Sequence, residues 1–204
     1  MKIRIIGDVH GKYGEYLSIT DGAEYSVQVG DMGFTYDHMK ELNPLNHSFI
    51  GGNHDNYDII GDVSHCHGNF GMRHKGDGAR GPVLEYFIAR GAYSVDKEYR
   101  TEGRSWWRNE EMNHDEANRC LNKYHRLRPD IVVSHDCPMS MTPFFLTNDY
   151  KLIPSFTGKL LEEMFQIHQP KMWFFGHHHN SKVVEAKGTK FTCLNELEYI
   201  DYEC

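Results

Sequence analysis

Metal-capable side chains recur in five short segments of this sequence, each beside a glycine or at the expected end of a strand. The segments are Gly7 to Gly11, Gly30 to Asp31, Gly52 to Asp55, Ser134 to Asp136 and Gly176 to His179. Carboxylate oxygens, amide oxygens and neutral imidazoles suit hard and borderline divalent ions, and no cysteine lies within these segments. Together they predict a two-metal hydrolytic centre, and the chemistry that such a centre favours is phosphoester hydrolysis.

The first two segments supply carboxylates and an imidazole. Asp8 and His10 are separated by one residue, so in extended backbone their side chains point the same way and can hold one ion. Gly11 then permits a sharp turn. Asp31 follows the second predicted strand, where its carboxylate could bridge two ions about 3.5–4 Å apart. Taken alone, Asp8 could equally cap a helix and His10 could be a surface histidine.

The third segment contains an amide, an imidazole and a carboxylate in succession. Asn53 can offer its amide oxygen to a metal without adding charge. His54 is then free to face a substrate as a general acid, and Asp55 to orient and polarise it. The alternative interpretation of the segment is a simple turn after Gly52.

Histidines complete the predicted metal set. They are His135, His177 and His179, each placed after an apolar segment. A single histidine at such a place can instead be a packed or hydrogen-bonded residue, and Asp136 can be a helix cap. The occurrence of all five segments in order favours the metal centre over these separate explanations.

Short apolar segments bounded by Gly, Asp or Asn predict the buried strands that position these residues. The predicted strands are Lys2 to Gly7, Tyr25 to Gly30, His47 to Gly51, Asp130 to Ser134 and Met172 to Gly176. Helical spacing is clearest from Thr157 to His168, where Thr157 can cap the start and Pro170 prevents continuation. Strands that alternate with helices predict an α/β layered fold with the motif residues at the carboxyl ends of a sheet.

The end of the chain follows a different pattern. Val183 to Glu185, Lys190 to Cys193 and Glu198 to Tyr202 predict an antiparallel meander that adds a second sheet rather than extending a parallel one. The expected architecture is therefore a two-sheet core flanked by helices, in a single domain spanning residues 1–204. The glycine-rich stretch from Ser64 to Gly81 interrupts the alternation and is predicted to be a surface loop near the site.

Composition limits the possible functions. The chain has 204 residues, of which 39% are hydrophobic and 25% charged, as in ordinary globular domains. Its five cysteines are irregularly spaced, which favours reduced thiols, and we expect a soluble cytoplasmic protein without a membrane span. The net charge of −7 argues against tight binding to long nucleic acid. Small anionic substrates remain possible, because bound cations reverse the local field.

The five segments resemble the pattern of the calcineurin-like metallophosphoesterases, which is D-x-H, G-D, G-N-H-[ED], H and G-H-x-H. The resemblance spans residues 7–179 and implies a four-layer α/β/β/α sandwich of two mixed sheets flanked by helices. It also implies two divalent ions with a bridging hydroxide, the first held by Asp8, His10, Asp31 and His179 and the second by Asp31, Asn53, His135 and His177. The expected metal is manganese, with iron, zinc, nickel, magnesium and cobalt as alternatives. By the same resemblance His54 protonates the leaving group, and His178 has no ligand role.

The second segment departs from the pattern of protein serine/threonine phosphatases and diadenosine tetraphosphatases in this superfamily. Those enzymes continue it as G-D-x-x-D-R-G, whereas this chain reads Gly30 to Phe34 without the arginine that grips a phosphomonoester. An arginine elsewhere could bind phosphate bidentately or be a solvated surface residue. The candidates are Arg73, Arg80, Arg90 and Arg100.

A further stretch of sequence has no chemistry that the resemblance assigns. Arg90 to Asp96 and Arg104 to Trp107 resemble a segment of uncharacterised bacterial and phage members of the superfamily, which places the protein in a bacterial or phage-infected cell. Trp106 and Trp107 within it could stack on a nucleobase or pack in the core.

The predicted function is hydrolysis of a small phosphorylated or nucleotide-like compound by a dinuclear metal centre. Phosphodiesters are favoured over monoesters, because Met32 to Phe34 replace charged residues of the protein phosphatases and predict a less cationic, more apolar pocket. The alternatives are a phosphomonoesterase or a serine/threonine protein phosphatase. A third alternative is a non-catalytic metal-binding scaffold, against which the intact pair of Asn53 and His54 counts.

Overall fold

Two β-sheets and their covering helices form the fold in a computed structural model, which describes residues 1–76, 83–146 and 152–203. The strands are β1 (Lys2–Ile6), β2 (Ser26–Gln28), β3 (His47–Phe49), β4 (Phe70–Lys75), β5 (Leu84–Ala89), β6 (Ile131–Ser134), β7 (Met172–Phe175), β8 (Lys182–Ala186), β9 (Thr189–Cys193) and β10 (Tyr199–Glu203). The α-helices are α1 (Tyr13–Thr20), α2 (His114–Leu127) and α3 (Phe156–Ile167). Short 3-10 turns cover Asp37–Glu41, Ile60–Asp62, Lys97–Tyr99, Arg108–Glu110 and Thr142–Phe144.

Both sheets are mixed. The smaller sheet has the strand order β10-β1-β2-β3, in which β1, β2 and β3 are parallel and β10 pairs antiparallel with β1. The larger sheet has the order β4-β5-β6-β7-β9-β8, with a parallel centre from β5 to β9 and antiparallel edge strands β4 and β8. The parallel centres carry their carboxyl ends toward one end of the molecule, as the predicted strand-and-helix alternation requires.

The layer order follows from which side chains are buried together. Along β5, Tyr86 and Ile88 pack in the core between the two sheets, whereas Phe87 and Ala89 pack with α2 and α3. This alternation with both faces buried is expected for a strand covered on two sides. On the far side of the smaller sheet, Tyr16 of α1 packs in a third cluster with strand residues. The predicted four-layer α/β/β/α sandwich of two mixed sheets flanked by helices is thus confirmed.

Helix α3 begins one residue before the predicted range and has a different cap. The Ser155 hydroxyl accepts a hydrogen bond from the Gly158 N–H at 2.8 Å. The N–H of Thr157, the predicted cap, instead donates to the Glu111 carboxylate at 2.7 Å. Serine is the better N-cap of the two, so residue preference alone already points to Ser155 over Thr157. The predicted apolar face is buried, including Leu161 and Met164.

The predicted C-terminal meander is wrong as a separate sheet. Strands β8 and β9 form an antiparallel hairpin, but β9 pairs in parallel with β7, so the hairpin extends the larger sheet and β8 becomes its edge strand. Strand β10 crosses over and pairs with β1 in the smaller sheet. Leu194 lies in the core between the sheets and marks the crossing point. The sequence pattern indicated the strands and their antiparallel pairing. It did not indicate that β9 pairs with β7 and β10 with β1, because these partners are distant in sequence.

The stretch from Ser64 to Gly81 also differs from the prediction. Its residues Phe70–Lys75 form β4, paired antiparallel with β5, so the prediction of a surface loop is wrong there. Phe70 and Met72 occupy alternate positions of β4 and pack against the core under the helices. The glycines and histidines around them obscure this alternation in the sequence. Residues 77–81 of the predicted loop lie outside the described part of the chain.

Two further expectations can be compared with the described residues. None of the helices in the described ranges is both long and apolar enough to cross a membrane. The cysteines in those ranges are free thiols, namely Cys66, Cys120, Cys137 and Cys193.

Candidate active site

The carboxyl ends of the parallel strands in both sheets meet at one end of the sandwich, and the predicted ligands follow these ends. Asp8 comes after β1, Asp31 after β2, Asn53 after β3, His135 after β6 and His177 after β7. Backbone hydrogen bonds join neighbouring loops, since the N–H of Val9 donates to the Asp31 carbonyl at 3.0 Å. The N–H of Gly176 likewise donates to the His135 carbonyl at 3.1 Å. The fold thus brings distant segments of the sequence to one place.

One group of side chains has the composition of a metal site. The potential ligand atoms of Asp8, His10, Asp31 and His179 all lie within 4.8 Å of one another. The Nε2 atoms of His10 and His179 are 2.9 Å apart, and His179 Nε2 is 3.2 Å from Asp8 Oδ2. Two buried carboxylates with two imidazoles fit a divalent cation. This is the set that the resemblance assigns to the first ion.

Charge in this group supports the same conclusion. Burial by itself would raise the pKa of the Asp8 carboxyl, but hydrogen bonds from His10 and His179 hold that pKa at about 2. The Asp31 carboxyl is also buried, and the nearby His135 keeps its pKa well below the usual range. Buried carboxylates that stay ionised are normally paired with cations or bound to metals.

The second predicted group lies directly beside the first and shares Asp31. His135 Nε2 is 3.2 Å from Asp31 Oδ1 and 3.0 Å from Asn53 Oδ1. The other ring nitrogen, Nδ1, donates to the Val29 carbonyl at 3.0 Å. Because Nδ1 is already engaged, a metal would replace the proton at Nε2, which faces the two oxygens, as is usual for a metal-binding histidine. The His177 ring lies 5.1 Å from the His135 ring between centroids.

Backbone strain is concentrated on the predicted ligands. His10, Asp31, His177 and His179 have positive φ angles of 49°, 61°, 64° and 45°. Non-glycine residues are uncommon in this left-handed region, and an arrangement of this kind persists only where the surroundings enforce it. Four predicted ligands in one small volume with this backbone conformation indicate a functional site.

Two motif glycines allow the backbone to lie directly against the ligand side chains. A Cβ atom at Gly52 would lie 2.3 Å from Asp31 Oδ1 and 2.7 Å from His135 Nε2. A Cβ atom at Gly176 would lie 2.0 Å from Asp8 Oδ1. No side chain fits at either position, which explains why both segments begin with glycine.

The Asp55 carboxylate is held by backbone donors. Its carboxylate accepts hydrogen bonds from the backbone N–H groups of Asp31, Gly33 and Gly52 at 2.9, 3.1 and 2.7 Å. The Tyr36 hydroxyl donates to it at 3.1 Å. These donors hold the carboxylate between the loops after β2 and β3, so Asp55 braces the backbone here, and its predicted effect on His54 stays a prediction. Tyr36 lies outside the five motif segments, so the sequence pattern did not identify it as a partner of Asp55.

His54 lies against an arginine instead. Arg100 Nη1 is 3.1 Å from His54 Nδ1, and Nη2 contacts Nε2 of the same ring. Because the two nitrogens of an imidazole point apart, one guanidinium reaches both by lying across the ring. Asp96 pairs with the same Nη2 of Arg100 at 2.8 Å. Burial, reinforced by the Arg100 charge, lowers the pKa of His54 to about 4, which favours the neutral ring in the absence of an anion.

The other candidate arginines are used elsewhere. Arg90 is buried and donates to the Asn69 side chain at 2.7 Å and to the Asn109 carbonyl at 2.8 Å. Arg73 donates to the carbonyl oxygens of residues 67 and 72 on the far edge of the larger sheet. Arg80 lies outside the described residues. Within the described ranges, Arg100 is thus the candidate that faces the site.

A cavity of about 470 Å³ opens over the ligands. Its polar floor includes Asp31, Asn53 and His54, and Arg100 lies in its wall. The apolar part of the wall comes from Val95, Met139, Leu146, Leu152 and Ile153. Met32 is buried in the core under α1 and Phe34 contacts Trp107, so these residues do not supply the apolar character as predicted. The apolar surface of the cavity comes instead from the five wall residues named above.

Two other residues considered in the sequence, Trp107 and His178, lie in different places. The Trp107 ring is buried, and its Nε1–H donates to Asp58 at 2.8 Å, which supports core packing over base stacking for this residue. His178 lines the cavity, and its Nε2 lies 3.0 Å from Asp136 Oδ1 and 3.5 Å from Cys137 Sγ.

Comparison with solved structures finds the same fold in several other proteins. Phosphopantetheinyl hydrolase from Mycobacterium tuberculosis is similar with a TM-score of 0.56 and 13% identity, over 96% of this chain and 89% of that one. A candidate 5′-nucleotidase from Staphylococcus aureus has a TM-score of 0.56 and 12% identity, over 98% of this chain and 50% of that one. A dimetal phosphatase from Danio rerio has a TM-score of 0.50 and 9% identity, over 97% of this chain and 88% of that one. At these identities the likeness shows the fold alone.

Sequence comparison then gives the family. No curated protein matches the chain. The family model described as calcineurin-like phosphoesterase matches residues 1–181, which include all five segments. The chain therefore belongs to the calcineurin-like phosphoesterase family.

Proposed function

We propose that this protein is a dinuclear-metal-dependent hydrolase of small phosphate esters that prefers diesters, including nucleotide-derived ones. The observation that supports the proposal most strongly is the convergence of the predicted ligands. Four of them have strained left-handed backbone, and the ligand atoms of the first group lie within 4.8 Å of one another. Strain of this kind is expected where a site is preorganised.

The donor set fits two divalent ions. Asp8, His10, Asp31 and His179 would hold one, and Asp31, Asn53, His135 and His177 the other. All of these ligands are nitrogen and oxygen donors without a thiolate, which fits manganese as well as the other expected divalent metals. Bound ions supply Lewis-acid chemistry here, since they lower the pKa of water and neutralise charge on a phosphoryl group.

The chain's own residues bind and orient the ester. Arg100 donates hydrogen bonds to phosphoryl oxygens in the cavity, replacing the arginine that is missing from the second segment. His54 donates a proton to the oxygen of the leaving group. The negative charge of a bound ester raises the pKa of His54 and so supplies the protonated ring. Asp55 keeps the two motif loops in register through its backbone hydrogen bonds.

The cavity wall supports the preference for diesters. A diester carries one negative charge less than a fully ionised monoester and has an organic group on each side. Val95 and Ile153 give that second group an apolar surface, whereas Asp96 and Asp136 add negative charge to the same cavity. A doubly charged monoester is therefore less well accommodated than a diester.

Hydrolysis of two chromogenic esters tests this proposal. With the protein loaded with Mn²⁺ at one pH, kcat/KM is expected to be higher for bis(p-nitrophenyl) phosphate than for p-nitrophenyl phosphate. Elemental analysis of the same sample is expected to find two ions per chain. A clear preference for the monoester contradicts the diester assignment, and two bound ions without hydrolysis of either ester support the scaffold alternative.

Substitution of Arg100 tests its contact with phosphate. A hydrogen bond to a charged group contributes about 1.5–3 kcal/mol, so Arg100→Ala is expected to lower kcat/KM by roughly 10- to 150-fold. Metal content should stay unchanged, because Arg100 belongs to neither ligand group. Arg104→Ala, which removes an exposed arginine nearby, is the matched control. Equal kinetics for the Arg100→Ala and Arg104→Ala variants would rule out the phosphate contact.

A further inference from the structure

The stretch without assigned chemistry lies directly behind Asn53. The Nδ2 of Asn53 donates to the Ser94 hydroxyl at 3.2 Å. That hydroxyl donates in turn to the Glu110 carboxylate at 2.6 Å, and the Ser94 backbone N–H donates to the other carboxylate oxygen at 2.9 Å. The exposed fractions of Asn53, Ser94 and Glu110 are only 4%, 0% and 2%. The three residues form a buried chain of hydrogen bonds that ends at the second ligand group.

The direction of this chain follows from its terminal group. An ionised carboxylate only accepts hydrogen bonds, so the single hydrogen of the Ser94 hydroxyl points to Glu110. The lone pairs of that hydroxyl are then left for Asn53, and they require a donor. Asn53 must therefore present its NH₂ group to Ser94 and its oxygen to the opposite side. On that side Asn53 Oδ1 lies 3.0 Å from His135 Nε2.

Glu110 is itself held in place by the surrounding backbone. A Cβ atom at Gly91, where φ is +90°, would lie 2.3 Å from the Glu110 carbonyl oxygen, so the two backbones pack without space for a side chain. Arg90 donates to the carbonyls of Asn109 and Glu110 at 2.8 and 3.3 Å. Arg90 and Gly91 of the unassigned stretch therefore hold the Glu110 main chain in place, and Ser94 of the same stretch binds the Glu110 carboxylate.

We propose that Ser94 and Glu110 are positioning residues that orient the Asn53 amide, so that its oxygen and not its NH₂ group faces the second metal position. The inference rests on the proposed function, since it concerns the metal centre assigned there. An amide turned the other way presents a donor that cannot bind a cation. Partners that orient a metal ligand typically contribute 10- to 100-fold to metal affinity or activity.

Calorimetric titration of the metal-free protein with Mn²⁺ tests the proposal. Ser94→Ala is expected to weaken one of the two ions by roughly 10- to 100-fold and to leave the other nearly unchanged. Ser94→Thr keeps the hydroxyl and is expected to restore affinity. Ser48→Ala is the matched control, because Ser48 is also buried and its hydroxyl donates to the Ser26 carbonyl at 3.3 Å, away from Asn53 and Glu110.

Glu110→Gln provides a second test if the Ser94→Ala variant does not fold. The glutamine amide can donate to Ser94, so the hydroxyl hydrogen becomes free to point at Asn53 and the amide orientation is no longer fixed. The same single ion is expected to weaken. The thermal unfolding midpoint of each variant in EDTA shows that the apo fold is intact.

A double variant decides whether Ser94 acts through Asn53. If it does, Ser94→Ala adds no further loss of Mn²⁺ affinity in an Asn53→Ala background. Additive losses, or two ions bound by Ser94→Ala as tightly as by the unmodified protein, overturn the inference. Failure of the unmodified protein to bind two ions instead overturns the proposed function, so the two failures are distinguishable.

Discussion

Replacement of Asp31 by alanine is expected to cause the largest loss of metal of any single ligand substitution. Asp31 is the ligand common to both groups, since its Oδ2 lies 3.7 Å from His10 Nε2 and its Oδ1 lies 3.2 Å from His135 Nε2. The same carboxylate accepts the His54 backbone N–H at 2.6 Å. Loss of Asp31 therefore weakens both ions, and kcat/KM should fall by more than the roughly 10- to 100-fold cost of an outer-shell partner.

Elemental analysis and hydrolysis of bis(p-nitrophenyl) phosphate measure this effect. Asp31→Ala should retain less metal than His179→Ala, because His179 contributes to the first group alone. Asp62→Ala, which removes an exposed carboxylate, is the control for the general loss of negative charge. Two tightly held ions and unchanged activity in Asp31→Ala would show that this carboxylate does not bridge the two groups.

The positions of the candidate ligands were accessible from the sequence for a physical reason. Each ligand follows a short apolar strand, and parallel strands carry their carboxyl ends to one edge of a sheet. Glycine at positions such as 52 and 176 leaves room for ligand side chains against the backbone, so the local sequence already records the close approach. The four-layer architecture was implied by the family resemblance, whereas β5, whose two faces are both buried, was not among the strands predicted from the sequence pattern.

The remaining features depend on contacts between residues that are distant in sequence. Arg100 lies 46 positions from His54, and no spacing rule relates the two. Asp55 follows His54 directly, which predicted a shared role, yet its carboxylate is occupied by backbone donors from two loops. Strand β10 likewise pairs with β1, which lies almost 200 positions earlier in the chain. Sequence pattern determines which residues can do chemistry, while tertiary packing determines which of them touch.

His54→Ala is the second substitution with a large expected effect. His54 contacts Arg100 and lines the cavity, but it belongs to neither ligand group. The variant should therefore keep both ions, while kcat for an ester with an alkoxide leaving group should fall by roughly the 10²–10⁴-fold typical of lost acid–base catalysis. His74→Ala, at an exposed position of β4, is the matched control for loss of a histidine.

The leaving group separates proton donation by His54 from a merely structural role. Nitrophenolate is a weak base and departs with little protonation, whereas an alkoxide needs a proton as the bond to phosphorus breaks. The His54→Ala variant should thus lose much less activity on bis(p-nitrophenyl) phosphate than on an alkyl diester. A structural defect in the site, such as a displaced Arg100, lowers the rate on both esters by the same factor. Equal losses on the two substrates, with both ions retained, would therefore contradict the assignment of His54 as the general acid.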